Sequence, residues 1–209
     1  MNKQKIKICG ISDLIILKNL IDLEVDYIGF IFFNKSPRHV DDDFLEIVKT
    51  INFKLTRPVC VFVNPKEEDV YKVSSYFTNP ILQFHGDESL DFCESFGLDF
   101  WKVIRVKDKN DLDLMQDYPT ASAILLENHK PGIYGGTGET FNWDILDSMP
   151  ELDNNIVLSG GINLENVHNA IATNSWCIDI NSGVESEKGV KDIKLINSIL
   201  TKIKHDEIK

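Results

Sequence analysis

The chain has 209 residues, of which 43% are hydrophobic and 26% charged, a balance typical of one soluble globular domain spanning residues 1–209. A chain of this length buries roughly 70% of the surface that its unfolded form exposes, so it needs neither disulfides nor a structural metal to stay folded. Its 22 basic and 33 acidic residues give a net charge of −11, which repels polyanions and argues against a nucleic-acid-binding protein.

Membrane insertion and secretion are not indicated. The most apolar stretch, Tyr27 to Phe33, has seven residues, whereas a spanning helix needs about 20. The basic residues 1–7 lead into Ile8-Cys9-Gly10 without the apolar core of a signal peptide, so we expect a cytoplasmic protein with no membrane partner. Four cysteines without Cys-x-x-Cys spacing are expected to be free thiols with no metal site: Cys9, Cys60, Cys93 and Cys177.

Short runs of β-branched and aromatic residues recur along the chain, and each precedes a stretch long enough for a helix. Helical patterns are clear at Asp13 to Leu23 and Glu165 to Ala172, and the sixth link is mostly rich in glycine. This alternation indicates βα units on a parallel sheet. The predicted strands are Lys5 to Cys9, Tyr27 to Phe33, Pro58 to Val63, Ile81 to Phe84, Phe100 to Val106, Ala123 to Glu127, Asn155 to Leu158 and Trp176 to Ile180.

Eight such strands predict an α/β protein with a single-domain (β/α)8 TIM barrel. An open doubly wound sheet is the alternative. That fold normally carries Gly-x-Gly-x-x-Gly after its first strand, whereas a single Gly10 follows Cys9 here. Because barrel active sites form at the C-terminal ends of the strands, the chemistry-bearing residues at those ends are the candidates.

Two glycine-containing loops predict a phosphate site. Ser159-Gly160-Gly161 follows the seventh strand, and Asn181-Ser182-Gly183 follows the eighth. Glycines let backbone N–H groups approach an anion closely, and loops at these two strands often bind phosphate. Asn163 is a suitable N-cap for the helix that follows. Ordinary turn glycines are the alternative explanation for either loop alone.

Cys9 ends the first strand and is a candidate base. Strand alternation places Lys7 and Cys9 on one side, with Ile6 and Ile8 facing the helices. An inward lysine below the thiol would favour a thiolate. The alternative is that Cys9 is a small buried hydrophobic residue.

Glu127 ends an apolar strand almost opposite Cys9 and is a candidate general acid. Burial disfavours the charged form of a carboxyl group, as an acid requires. A helix-capping or ion-paired glutamate is the alternative. Asp179 on the eighth strand faces the same interior, and we expect it to pair with Lys7.

Short motifs at the strand ends form a recognisable series from Lys7 to about Asp192. They are Lys7-Ile8-Cys9-Gly10-Ile11, Gly29-Phe30-Ile31-Phe32, Lys35-Ser36-Pro37-Arg38, Val61-Phe62-Val63-Asn64, Gln83-Phe84-His85-Gly86, Gly135-Gly136-Thr137-Gly138, Phe141-Asn142-Trp143, Leu158-Ser159-Gly160-Gly161 and Ser182-Gly183-Val184-Glu185. In this order, the motifs resemble those of the phosphoribosylanthranilate isomerase family of tryptophan biosynthesis.

The resemblance implies an Amadori rearrangement of a small phosphosugar, without metal, organic cofactor or obligate protein partner. It implies that Cys9 is the base and Glu127 the acid that opens the furanose ring. Arg38 would bind the anthranilate carboxylate, and His85 would contact the substrate. The phosphate would be held by Gly160, Gly161, Ser182 and Gly183. Lys7 and Asp179 would support the site without contacting the substrate.

One departure concerns Glu127, because the family usually has aspartate there. An extra methylene shifts the carboxyl group, and a misplacement of about 1 Å can cost on the order of 100-fold in rate. Two other functions are the alternatives to this family's activity. One is a histidine-pathway type of isomerase, whose acid on the first strand is replaced here by Cys9. The other is a non-catalytic phosphosugar-binding barrel, against which the presence of both Cys9 and Arg38 argues.

Overall fold

The computed structural model describes residues 4–130, 138–149 and 154–206. Eight parallel strands follow one another in chain order around a closed barrel, and β8 pairs back onto β1. The predicted (β/α)8 barrel is confirmed, and the open sheet is excluded. The barrel strands are β1 Lys5–Cys9, β2 Tyr27–Ile31, β3 Arg57–Phe62, β4 Ile81–Phe84, β5 Phe100–Val106, β6 Ala123–Asn128, β7 Asn155–Leu158 and β8 Cys177–Ile180.

Helices surround the barrel, and those after β5 and β6 are 3₁₀ helices, Lys109–Asp117 and Trp143–Ser148. A short hairpin, β9 Glu185–Glu187 with β10 Val190–Lys191, lies between β8 and the last helix. Within the described ranges, no helix is both long and apolar enough to span a bilayer. The α-helices are α1 Leu14–Asp22, α2 Asp42–Val48, α3 Glu67–Ser74, α4 Leu90–Glu94, α5 Val167–Ala172 and α6 Ile193–Asp206.

The helix after β7 begins later than the sequence indicates. We expected Asn163 as its N-cap and a start at Glu165, but α5 starts at Val167 after Asn166. The Asn163 side chain accepts from the N–H groups of Glu165 and Asn166, and Asn166 Oδ1 accepts from Asn163 N at 2.8 Å. These reciprocal bonds form a compact turn in place of the first helical turn.

Two apolar layers result from the alternation along each strand. Ile6 and Ile8 pack in the larger layer between the strands and the helices. Cys9 belongs to the smaller group inside the barrel, together with Val59, Val61, Ile81, Trp101, Val103, Ala123, Leu125, Val157 and Cys177. The inward direction predicted for Cys9 is therefore confirmed.

Aromatic rings at the N-terminal ends of the strands fill the lower end of the barrel. The Tyr27, Trp101 and Trp176 ring centroids lie 4.9–6.0 Å apart, with the Tyr27 and Trp101 rings edge to face. Edge-to-face packing suits the charge distribution of aromatic rings. The polar interior residues described next lie toward the opposite, C-terminal end.

Candidate active site

A cavity of about 630 Å³ lies at the C-terminal ends of the barrel strands. It brings together eight of the ten predicted site residues: Cys9, Arg38, His85, Glu127, Gly160, Gly161, Asp179 and Ser182. Lys7 is completely buried and does not line the cavity, and neither does Gly183. The remainder of the predicted glycine-rich motif, residues 135–137, lies outside the described residues, while Gly138 lines the cavity.

Cys9 fits into space left by a glycine on the neighbouring strand. Its Cα pairs in register with that of Gly29 on β2, and a Cβ on Gly29 would lie 2.6 Å from the Cys9 sulfur. Burial raises the pKa of the Cys9 thiol, although Lys7 and Lys191 oppose that increase. Lys7 therefore favours the thiolate, as the sequence predicted, but desolvation of the sulfur outweighs the nearby cations and the pKa of Cys9 is raised overall.

Lys7 is paired with Asp179, as the sequence predicted. The two residues are in register on adjacent strands, and Lys7 Nζ lies 2.8 Å from Asp179 Oδ2. Burial opposes the charge on Lys7, but Asp179, and to a smaller degree Cys9, raise its pKa overall. The Ser159 hydroxyl lies 3.4 Å from the same Oδ2. Asp179 Oδ1 is buried without a hydrogen-bond partner among the described residues, so it is available to a ligand or to water.

Glu127 is buried beside His85. The His85 Nε2 atom lies 3.1 Å from Glu127 Oε2, but without hydrogen-bond alignment to any described residue. Gln83 Nε2 lies 3.4 Å from His85 Nδ1, and Gln83 Oε1 has no described partner. His85 therefore borders the candidate acid as well as the cavity, a contact that sequence reasoning missed.

Arg38 is held by an acidic residue from the hairpin. Its Nε and Nη2 atoms donate to the two carboxylate oxygens of Glu185, each at 2.7 Å. Lys191 Nζ lies 2.7 Å from Glu185 Oε1 and also donates to Asn181. Neither Glu185 nor Lys191 was predicted as a site residue. The contact between Arg38 and Glu185 joins residues 147 positions apart in the chain, so no local pattern reveals it.

The two glycine loops meet at the cavity rim. Gly160 and Gly161 have φ values of +93° and +63°, a region that favours glycine. Gly183 bridges to Asn163 of the other loop, and a Cβ on Gly183 would overlap the carbonyl oxygen of Ile162. Gly183 therefore allows the two loops to approach each other, and its contact with the substrate remains a prediction.

A metal centre has no support in the described part of the chain, where no cluster of three or more His, Cys, Asp or Glu residues could hold an ion. The polar side chains that line the cavity are a thiol, two carboxyl groups, an imidazole, three amides, three serine hydroxyls, an arginine and two lysines. Such a set can move protons and bind anions through its own side chains.

Comparisons with known proteins agree with this arrangement. Residues 6–202 match the family model described as N-(5'-phosphoribosyl)anthranilate (PRA) isomerase. A curated relative of that name from Thermoanaerobacter sp. (strain X514) is 37% identical over 203 residues, covering 96% of this chain and 98% of the relative.

Solved structures show the same similarity. The phosphoribosyl anthranilate isomerase from Thermotoga maritima superposes with a TM-score of 0.82 at 30% identity, covering 97% of this chain and 99% of that one. Another phosphoribosyl anthranilate isomerase, in complex with reduced 1-(o-carboxyphenylamino)-1-deoxyribulose 5-phosphate, superposes with a TM-score of 0.77 at 30% identity over the same shares. With the matched model spanning nearly the whole barrel, the chain belongs to the N-(5'-phosphoribosyl)anthranilate isomerase family.

Proposed function

We propose that this chain isomerises N-(5'-phosphoribosyl)anthranilate to 1-(2-carboxyphenylamino)-1-deoxyribulose 5-phosphate in tryptophan biosynthesis, by general acid-base catalysis. One observation carries the proposal. A single cavity is lined by a thiol, a buried carboxyl group, an arginine and two glycine loops, which match a base, an acid and two anion sites. The cytoplasmic location and the lack of an obligate protein partner expected from the sequence remain predictions.

Glu127 is the acid in this proposal. Its protonated carboxyl group gives a proton to the furanose ring oxygen as the bond between that oxygen and C1' breaks. The lone pair of the anthranilate nitrogen attached to C1' forms the new double bond of an iminium ion. Burial keeps the carboxyl group away from competing water. His85 lies next to this carboxyl group and helps to orient it.

Cys9 is the base. Its thiolate removes the proton from C2' of the iminium ion, whose positive nitrogen accepts the electron pair and yields an enolamine. Tautomerisation of the enolamine then gives the ketone product. Lys7 and Lys191 oppose the cost of burying the thiolate, so they support the charged form that abstracts the proton.

The two anionic ends of the substrate need separate sites. Arg38 is proposed to bind the anthranilate carboxylate, because a guanidinium group can meet a carboxylate through two N–H donors. Backbone N–H groups of Gly160, Gly161 and Ser182 are proposed to bind the phosphate. Gly183 supports this site by allowing the two loops to approach each other.

The direct test is to supply freshly made N-(5'-phosphoribosyl)anthranilate to the purified protein and to follow the loss of anthranilate-type fluorescence. Turnover that disappears in Cys9→Ala supports the proposal. Binding of the reduced product analogue without turnover of the substrate would favour a phosphosugar-binding barrel. Turnover of the histidine-pathway substrate alone would favour the other isomerase.

A further inference from the structure

A buried three-charge cluster, made of Arg38, Glu185 and Lys191, covers the end of β1. The side chains are 5%, 4% and 3% exposed, respectively. Glu185 accepts from both cations, and the Gly189 N–H donates to its Oε2 atom at 3.1 Å. One negative and two positive charges leave the cluster with a net charge of +1.

The cluster links the loops after β2 and β8 across the strand between them. Arg38 belongs to the first loop, and the β9-β10 hairpin supplies Glu185 and Lys191. Gly10, directly after β1, makes room for this link, since a Cβ there would lie 2.6 Å from Arg38 Cδ. The link therefore lies beside Gly10, the residue that follows the proposed base Cys9.

Glu185 remains ionised throughout the ordinary pH range. Burial works against its charge, but hydrogen bonds from Arg38 and Lys191 lower its pKa to about 2. An unpaired buried cation is costly, so each cation of the cluster depends on this carboxylate. Removal of Glu185 would free the Arg38 side chain to take other orientations.

The bidentate contact occupies only one edge of the guanidinium group. Arginine has five N–H donors, and Glu185 takes one from Nε and one from Nη2. One donor of Nη1 and the second donor of Nη2 lie together on a further edge that can meet another carboxylate. Arg38 lines the cavity, and Glu185 does not take these remaining donors.

We propose that Glu185 and Lys191 are positioning residues that hold the outer edge of Arg38 for a substrate carboxylate. They thereby select phosphosugars that carry an ortho-carboxylated ring over those with a plain phenyl ring. This inference rests on the proposed function, because it assigns the determinants of carboxylate recognition in the same cavity.

The test uses two ligands that differ only in the carboxylate. One is reduced 1-(o-carboxyphenylamino)-1-deoxyribulose 5-phosphate, and the other is the same compound with an unsubstituted phenyl ring. Calorimetry gives the Kd of both for the wild type and for the double variant Glu185→Gln/Lys191→Met. The double variant keeps the net charge of the cluster at +1, so it avoids leaving two unpaired cations.

The double variant should bind the carboxylated ligand at least about tenfold more weakly, because hydrogen bonds to charged groups are among the stronger ones. Its affinity for the phenyl ligand should not change. Glu187→Gln is the control for the glutamate substitution, since it removes a negative charge from an exposed position of the same hairpin. Thermal unfolding checks that each variant is folded. Glu185→Asp provides a second test, because it keeps the charge but shortens the side chain, and its loss of affinity for the carboxylated ligand should be smaller.

Equal loss for both ligands would overturn the inference, because it would mean that the cluster only maintains the loops. An unchanged affinity of the double variant for both ligands would overturn the inference as well. In an Arg38→Lys background, the double substitution should add little further loss for the carboxylated ligand, as coupled residues do not act additively. A wild-type protein that neither binds the carboxylated ligand nor turns over the substrate would instead disprove the proposed function itself.

Discussion

Cys9 combines a buried thiol with the task of removing a proton. Its pKa is raised above the ordinary value of 9.0 by burial, with Lys7 and Lys191 limiting the increase. Because a base acts in its deprotonated form, kcat/KM should rise with pH through neutrality and still be rising at pH 9. Cys9→Ala should abolish this dependence and lower kcat by about 10²-fold or more in single-turnover measurements. A flat wild-type profile, or near wild-type turnover in the alanine variant, would contradict the assignment.

Glu127 is the residue at which the chain departs from the family pattern. Glu127→Gln keeps the size of the side chain but has no proton to give, so kcat should fall by roughly 10² to 10⁴-fold with little change in KM. Glu127→Asp distinguishes two explanations. If the contact with His85 has adapted the site to the longer side chain, aspartate will lower kcat; if glutamate is only tolerated, aspartate will raise it. Wild-type turnover in Glu127→Gln would show that another group opens the ring.

Position along a strand was sufficient to find most residues that line the cavity, because each of them ends or follows a barrel strand. Gln83 carried a signal that we did not use: it is a polar residue inside the apolar strand Ile81–Phe84. Glu185 and Lys191 could not be found in this way. Their positions depend on how the hairpin folds back over Arg38, which is a tertiary contact.

The boundaries of the elements followed the sequence where local signals were strong. The predicted bounds of β1, β4, β5 and β7 match the structure, whereas β2 ends at Ile31 and not at Phe33. Strand ends depend on pairing with neighbours, and Phe32 N still donates to Val61 O beyond the end of β2. The β-propensity of a residue does not indicate such pairing. The sequence therefore predicts that a strand exists more accurately than it predicts the residue at which the strand ends.

The loops after β7 and β8 act as a unit in the proposed phosphate site. A Cβ at Gly183 would overlap Ile162 O, so Gly183→Ala should separate these loops and raise KM at least about tenfold, with a smaller effect on kcat. Gly97→Ala is a suitable control. Gly97 has a positive φ and no neighbour within 4 Å of an added Cβ, so Gly97→Ala should lower the stability of the fold without changing KM. An unchanged KM in a folded Gly183→Ala protein would contradict a role for this contact.

The whole molecule carries a net charge of −11, yet its proposed ligand is an anion. Arg38, Lys191 and Lys7 are collected beside the cavity, and each has a carboxylate partner. The two exposed lysines Lys35 and Lys188 also line the cavity. Local cations therefore offset the negative field where the ligand binds.

The pairing of Glu185 with Arg38 and Lys191 makes the stability of the protein sensitive to acid. The pKa of Glu185 is about 2 in the folded protein, against an ordinary value of 4.5, so the unfolded chain binds more protons between these values. The free energy of unfolding should therefore fall as the pH decreases from about 4.5 towards 2. Urea denaturation at several pH values should show a shallower fall in Glu185→Gln than in the wild type. The exposed Glu187→Gln should retain the wild-type slope, and equal slopes in both variants would contradict this linkage.

The placement of the four cysteines gives the protein a built-in reporter. Cys60, Cys93 and Cys177 are buried away from the cavity, whereas Cys9 lines it. A small thiol-reactive reagent should therefore label one cysteine per native chain and all four after unfolding. Because a ligand in the cavity would shield that sulfur, the rate of alkylation measures occupancy even in variants that no longer turn over substrate.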